Sequence, residues 1–288
     1  MKVTFLGVGD MGFGIASNIA AHGFELTVWN RHIQRALPLQ DKGVKICEDL
    51  AEAVRDADVV GMCVIADADV KELCAAVYPH VKPGAVVFDC TTASPGCAQE
   101  MAKLFAEKDV AFLDTPVSGG KAGADAGTLA VMAGGSKEAF EAVKPVLEAF
   151  SGCLEYMGPS GAGKSTKLIN QMLVAANQTA VCEAMMLAER AGLDLEQVYG
   201  VLRTAWGSSR MLERSVEPFI IPKHYEGGNC LYQLAKDLRL TLKMAEDLNC
   251  SIPVTGTSHR YYQAAEDAGW GRQDIAAVIK LMEQENNG

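Results

Sequence analysis

The residues best placed to do chemistry stand on one stretch, Gly158 to Ala191. From about Gly163 it predicts a single helix, with no proline and no later internal glycine. At ~1.5 Å per residue that helix spans roughly 40 Å. It is apolar on nearly every side, which predicts burial. Yet Lys167, Asn170, Gln171 and then Gln178 form a polar stripe at helical spacing. A lysine desolvated on a buried helix has its pKa lowered, so it can act as acid and base near neutral pH. Such a group contributes roughly 10²- to 10⁴-fold to a proton transfer. An amide one turn away can orient a hydroxyl. The alternative is a satisfied structural network or a wet edge, and the rest of the chain must decide. A membrane span is excluded, because the uninterrupted apolar run is too short and Lys167, Asn170, Asn177 and Glu183 fall inside it.

The same stretch opens with GPSGAGKS (158–165), which fits the phosphate-binding pattern G-x-x-x-x-G-K-[ST]. That pattern needs a parallel strand before it, more sheet after it, and a later strand ending in an acid that holds magnesium. Everything after Ser165 reads as helix. The apolar runs that end in aspartate, AVVFD and VAFLD, come earlier and fit another sheet. Phosphoryl transfer is set aside, and Lys164 is expected to be partly exposed and dispensable.

The elements that must position the lysine begin at residue 2. KVTFL (2–6) has strand character and is followed by Gly7-Val8-Gly9-Asp10-Met11-Gly12, a helical run to His22, and a second strand, FELTVWN (24–30). This is G-x-G-x-x-G in its required strand–helix–strand setting. Gly7 permits the tight turn, Gly9 lets a pyrophosphate approach the backbone, and Gly12 lets helix and strand pack closely. The end of the second strand chooses the dinucleotide. An acid there would bind the ribose hydroxyls of NAD, but Asn30-Arg31, with His32 and Arg35 beyond, offers two guanidinium groups for a 2′-phosphate. NADP is therefore expected over NAD. The alternative is that Arg31 and Arg35 are merely solvated charges.

Further strand candidates are 44–47, 58–65, 85–91, 110–117 and 127–135, with a short one near 154–157. Helical patterns lie between most of them, at 97–108 and up to about Phe150 among others. Continuous apolar strands alternating with helices predict a mostly parallel, doubly wound sheet covered on both faces. Ligands then bind at the carboxyl ends of the strands, which carry Cys63-Val64-Ile65, Thr91-Thr92-Ala93-Ser94-Pro95 and the segment Asp114 to Gly120. After Ala191 the patterns are helical: 194–204, 231–248, 258–268 and 274–285. The fold class is thus α/β: an N-terminal Rossmann-type domain (1–162) and an all-helical C-terminal domain (163–288), sharing the long helix 163–191. Ser118-Gly119-Gly120 offers a hydroxyl and unencumbered backbone N–H groups to an anion, and otherwise forms an ordinary turn. Trp206 is expected in the core.

A chain of 288 residues suffices for about two domains. Its net charge of −10 argues against nucleic acid or an anionic membrane as partner. The nine cysteines show no paired spacing and the five histidines no metal-ligand spacing. An apolar strand directly after Met1 leaves no room for a signal peptide. These features lead us to expect free thiols, no metal site and a cytoplasmic, homodimeric or homotetrameric protein acting on a small molecule.

Taken together, GVGDMGFGIASNIAAHG (7–23), DCTTASP (89–95), DTPVSGGKAGADAGTLAVMAGG (114–135), GPSGAGKSTKLINQ (158–171) and KDLRLTLKMAED (236–247) resemble the β-hydroxyacid dehydrogenase family over nearly the whole chain. That family includes 3-hydroxyisobutyrate dehydrogenase, tartronate semialdehyde reductase and glyoxylate/succinic semialdehyde reductase. The resemblance implies hydride transfer between a nicotinamide cofactor and a small β-hydroxyacid or its semialdehyde. It implies that Lys167 is the catalytic lysine, that Ser118, Gly119 and Gly120 hold the substrate carboxylate, that Thr92 lies near the nicotinamide ribose, and that Lys236 stands beside the cofactor. Members commonly carry asparagine four residues after the lysine; this chain has Gln171 there, preceded by Asn170. Two other readings are an imine reductase of similar architecture, which lacks the lysine, and a non-catalytic dinucleotide-binding module.

Overall fold

The computed structural model describes residues 1–286. The chain divides into two compact units, Met1–Lys167 and the residues from Leu168 onward, each described by itself below.

The first unit is built on nine strands: β1 (Lys2–Leu6), β2 (Glu25–Trp29), β3 (Lys45–Ile46), β4 (Val59–Met62), β5 (Val86–Asp89), β6 (Ala111–Asp114), β7 (Val117–Ser118), β8 (Leu129–Gly134) and β9 (Ser151–Gly158). Their order is β3-β2-β1-β4-β5-β6-β8-β7, with β9 on β8. The pairs from β3 to β6 are parallel, β8 runs antiparallel to β6 and β7, and β9 is parallel to β8. Every residue of β4 and β5 is buried, as continuous apolar runs require in a sheet covered on both faces. Side chains alternate between faces: Phe5 and Phe88 join one apolar cluster with Ile15 and Phe150, and Leu6 and Val87 join another with Met62 and Phe105. The covering helices are α1 (Asp10–Ala21), α2 (Leu50–Arg55), α3 (Asp67–Val77), α4 (Pro95–Ala106), α5 (Gly120–Ala126) and α6 (Lys137–Glu148).

Two departures from the expected pattern have simple causes. The run 110–117 is not one strand but β6 and β7, parted at Thr115-Pro116, because proline has no N–H for a ladder. Helix α5 has no apolar periodicity to announce it. Its small residues serve close packing on α1: a Cβ at Gly14 would lie 2.6 Å from the Ala124 carbonyl carbon. Asn18 Nδ2 fastens the contact, donating to the carbonyls of Ala124 (2.8 Å) and Gly14 (2.9 Å).

Helix α7 (Ala162–Arg190) contains the division between the units. The second unit continues with α8 (Leu195–Leu202), α9 (Arg210–Ser215) and a π-helical turn Val216–Ile220, followed by α10 (Leu231–Asp247), α11 (Pro253–Ala265) and α12 (Ile279–Glu285). Its core gathers Val181, Met185, Leu212, Leu238 and Tyr262. Two expectations fail here. Helix α7 is not buried all round, since Ile169, Leu173 and Leu187 are exposed, and Trp206 is fully exposed instead of core. Apolar character alone does not distinguish a face packed within its own chain from one left open. Among the described helices none is long and apolar enough to cross a membrane.

Candidate active site

The strand order reverses between β1 and β4, and there the glycine loop sits. Gly7 has φ +91°, and a Cβ on it would lie 2.3 Å from the Cys63 carbonyl oxygen, so the loops after β1 and β4 touch. A Cβ on Gly12 would lie 1.9 Å from the Gly7 carbonyl oxygen, which makes glycine obligatory for α1 to start so close to β1. At Gly9 a Cβ would meet no protein atom within 4 Å. The chain's own packing therefore does not demand glycine at this position, and the open space fits the pyrophosphate of a dinucleotide. Val8 is buried and its N–H donates to Asn30 Oδ1 (2.9 Å), which ties the loop to the end of β2. Asp10 is exposed at the head of α1, and Met11 is half-buried against the core.

Asn30 is thus a structural link, and its Nδ2 also donates to the His32 carbonyl (2.7 Å). Arg31 is exposed and pairs with Glu72 of α3 at 3.2 Å. The local sequence holds no carboxylate near Arg31; the fold brings one from forty-one residues away.

The ends of β4, β5 and β6 are joined by a polar cluster that sequence reasoning did not foresee. Asp89 and Asp114 are fully buried. Asp89 accepts from Lys164 Nζ (2.7 Å) and from the Thr91 N–H (2.9 Å). Lys164 Nζ also donates to the Thr91 carbonyl. Thr91 Oγ1 accepts from the Val64 N–H (3.0 Å). Asp114 accepts from the N–H groups of Gly161 and Lys164, both at 2.8 Å. Burial pushes the Asp114 carboxyl above its ordinary value, and the two N–H donors oppose that rise. Lys164 is only 1% exposed, so the expectation of a partly exposed lysine is wrong. A buried ammonium must be paired, and its partner is Asp89, the aspartate that closes the apolar run AVVFD. The phosphate-loop reading fails on the same fact, because the Lys164 ammonium is committed to Asp89.

Lys167 lies one helical turn after Lys164 and is 6% exposed. Thr92 follows Thr91 and is half-buried; Ser118 ends β7, also half-buried, and Gly119 and Gly120 continue with φ +141° and +63°. Cys63 and Val64 are half-buried beyond β4, and Ile65 is exposed. Cys63, Val64, Thr92, Ser118 and Lys167 thus all belong to the first unit, at or just beyond strand ends or at the head of α7.

In the second unit, Asn170 and Gln171 stand one turn past Lys167 on α7. Gln171 Nε2 donates to Asp237 Oδ2 (2.7 Å), and Asn170 Nδ2 donates to Gln171 Oε1 (3.0 Å). Lys236 pairs with Asp237 Oδ1 at 3.1 Å. The fold therefore joins both amides and Lys236 through Asp237, a buried acid not singled out from sequence. Gln178, the last member of the stripe, accepts from Ser215 and donates to Cys182 Sγ (3.3 Å), so it is structural. No group of three or more His, Cys, Asp or Glu among the described residues is arranged to hold a metal ion, and all nine cysteines are free thiols.

A 3-2-1-4-5-6 sheet with its glycine loop at the reversal point, followed by a helical unit, places the chain in the class of dinucleotide-binding proteins. Residues 2–158 match the family described as the NAD binding domain of 6-phosphogluconate dehydrogenase. Residues 161–282 match the one described as NAD-binding of NADP-dependent 3-hydroxyisobutyrate dehydrogenase. The chain is 31% identical to 2-(hydroxymethyl)glutarate dehydrogenase of Eubacterium barkeri, covering 99% of this chain and 95% of that one. It is 34% identical to L-threonate dehydrogenase of Escherichia coli, covering 97% and 94%. The structure of a 3-hydroxyisobutyrate dehydrogenase from Salmonella typhimurium superposes with a TM-score of 0.90 at 32% identity, covering 98% and 99%. The chain belongs to the β-hydroxyacid dehydrogenase family and is an NAD(P)-dependent hydroxyacid dehydrogenase.

Proposed function

We propose that the protein interconverts a small β-hydroxyacid and its semialdehyde or keto form with NADP(H), using Lys167 as general acid and base. The observation that carries this reading is the burial of Lys167 at the head of α7, in the unit that also carries the glycine loop, Thr92 and Ser118. Bound NADP⁺ supplies the hydride acceptor. With the dinucleotide bound as hydride acceptor, Lys167 would take the hydroxyl proton as the carbinol is oxidised and would return a proton to the alkoxide in reduction. Ser118, Gly119 and Gly120 hold the substrate carboxylate by a hydroxyl and backbone N–H groups. Gly7 to Gly12, Asn30, Arg31, Cys63, Val64, Ile65, Thr92 and Lys236 bind the dinucleotide. Gln171 spends one hydrogen bond at each end of its amide inside the helical unit and keeps a further position at each. It orients Asn170 and supports the substrate hydroxyl in place of the more usual asparagine. NADP is favoured because Arg31 and Arg35 stand where an acid would select NAD. The exposed apolar residues Leu173, Leu187 and Trp206 support a homodimer or homotetramer, which light scattering on the purified protein would check.

The test is Lys167→Ala, assayed at 340 nm on 2-(hydroxymethyl)glutarate, L-threonate and 3-hydroxyisobutyrate with both cofactors. We expect kcat to fall by roughly two to four orders of magnitude with cofactor affinity nearly intact. Lys167→Arg should not restore it, because guanidinium does not release its proton. Unchanged kcat in Lys167→Ala refutes the assignment.

A further inference from the structure

We propose that Lys164 is a positioning residue for the dinucleotide, holding the loops after β4 and β5 in register through its buried pair with Asp89. Its ammonium is not a surface charge on a helix start: it reaches Asp89 at the end of β5 and the carbonyl of Thr91 just beyond. Thr91 in turn uses its N–H on Asp89 and its Oγ1 on the Val64 N–H, so one cation fixes two strand ends. The backbone N–H of Lys164 is held by Asp114, which fixes the first turn of α7 to the end of β6. Moving the ammonium would therefore move Thr91, and with it Thr92 on one side and Val64 on the other. The inference rests on the reading that Val64 and Thr92 face the cofactor.

The experiment measures the Kd of NADPH and of NADH by fluorescence titration, taking the tighter, together with Tm, for four variants. Lys164→Met alone strands a buried carboxylate and should lower Tm. Lys164→Met/Asp89→Asn removes both charges, so no uncompensated ion stays buried. It should recover much of the Tm, yet keep a Kd raised about tenfold, the equivalent of roughly one lost hydrogen bond to the cofactor. Thr91→Val keeps the pair and the side-chain shape, losing only the acceptor for Val64; it should weaken binding with little change in Tm. If the double variant does not fold, Thr91→Val decides. If Kd returns to wild type with Tm in the double variant, or stays there in Thr91→Val, the pair is merely structural and the proposal is overturned. Thr92→Val separates the two layers. Weakened binding in it alone defeats the role of Lys164, whereas unchanged binding defeats the cofactor-contact reading and the proposal with it.

Discussion

Asp89, at the end of β5, and Asp274, ahead of α12, are both fully buried, and each is answered by one cation and by backbone N–H groups. Asp274 accepts both guanidinium nitrogens of Arg214 and the N–H groups of Asn229 and Ala276, each N–H at 2.9 Å. Asp89 accepts a single ammonium and the Thr91 N–H. The Arg214 fork gives both terminal nitrogens to one carboxylate, with Nη1 also reaching its neighbour Ser215 Oγ (3.3 Å), and closes a loop within the helical unit. Lys164, a point charge with three donors, has capacity beyond the carboxylate and uses it on the carbonyl of a strand-end loop. Burial of charge is common to both and so does not mark function. The neighbours differ: Asp89 adjoins Thr92 and Val64, which are proposed to contact the cofactor, whereas Asp274 adjoins residues for which no such role is proposed.

Breaking either staple should have the largest effect on folding. Lys164→Met and Arg214→Met each leave a buried carboxylate uncompensated, which costs about 3–5 kcal/mol. Urea unfolding should show similar losses for both. Cofactor Kd, corrected for the folded fraction, should change only for Lys164→Met. A changed Kd in Arg214→Met would erase the distinction. The exposed pair Arg31–Glu72 sharpens the contrast, because such pairs add little to stability. Arg31→Ala should leave Tm nearly unchanged and lower the kcat/KM ratio of NADPH to NADH about tenfold, the worth of one charge-assisted hydrogen bond. Glu72→Gln should raise that ratio about two- to threefold by releasing Arg31. A wild-type preference for NADH would sink both expectations.

The smallest effect belongs to a half-buried titratable group with no such staple. His259 Nε2 is buried with no hydrogen-bond partner among the described residues. Burial first, and Arg239 second, lower its pKa below the ordinary 6.5. A depressed folded pKa means stability that is present above pH 6.5 and lost as pH falls through the folded value. Tm should therefore drop modestly on acidification below pH 6.5, and His259→Phe should flatten that part of the profile. An unaltered profile would show that His259 does not titrate differently on folding.

Strands and the glycine loop were legible because their signals are local: short continuous apolar runs, Gly7 in a turn, Gly12 beneath a helix. The burial of Lys167 was legible from the apolar character of the helix around it. Lys164 was misread because burial is a tertiary property, and nothing within a few residues of it names Asp89 as its partner. The same holds for Glu72 beside Arg31 and for Asp237 beneath Gln171. Helix α5 escaped because small residues packed against α1 leave no hydrophobic period, and α9 because six residues are too few to show one. Trp206 was misplaced because a large aromatic is core more often than not, and its exposure is not written in its neighbours.

Strand β9 bears on how the protein behaves when concentrated. It is eight residues long and pairs, among the named strands, only with β8. Its other edge offers N–H and C=O groups to any passing chain, the geometry from which edge-to-edge aggregation starts. The ladder to β8 is interrupted at two register shifts, which twist the edge, and Glu155 places a charge on it. Glycines at positions 152 and 158 weaken its tendency to propagate as a sheet. Cys153 is an exposed thiol on the same strand, so oxidation between two molecules would cross-link them along this edge. Storage under reducing conditions and retention of Glu155 should keep preparations monodisperse.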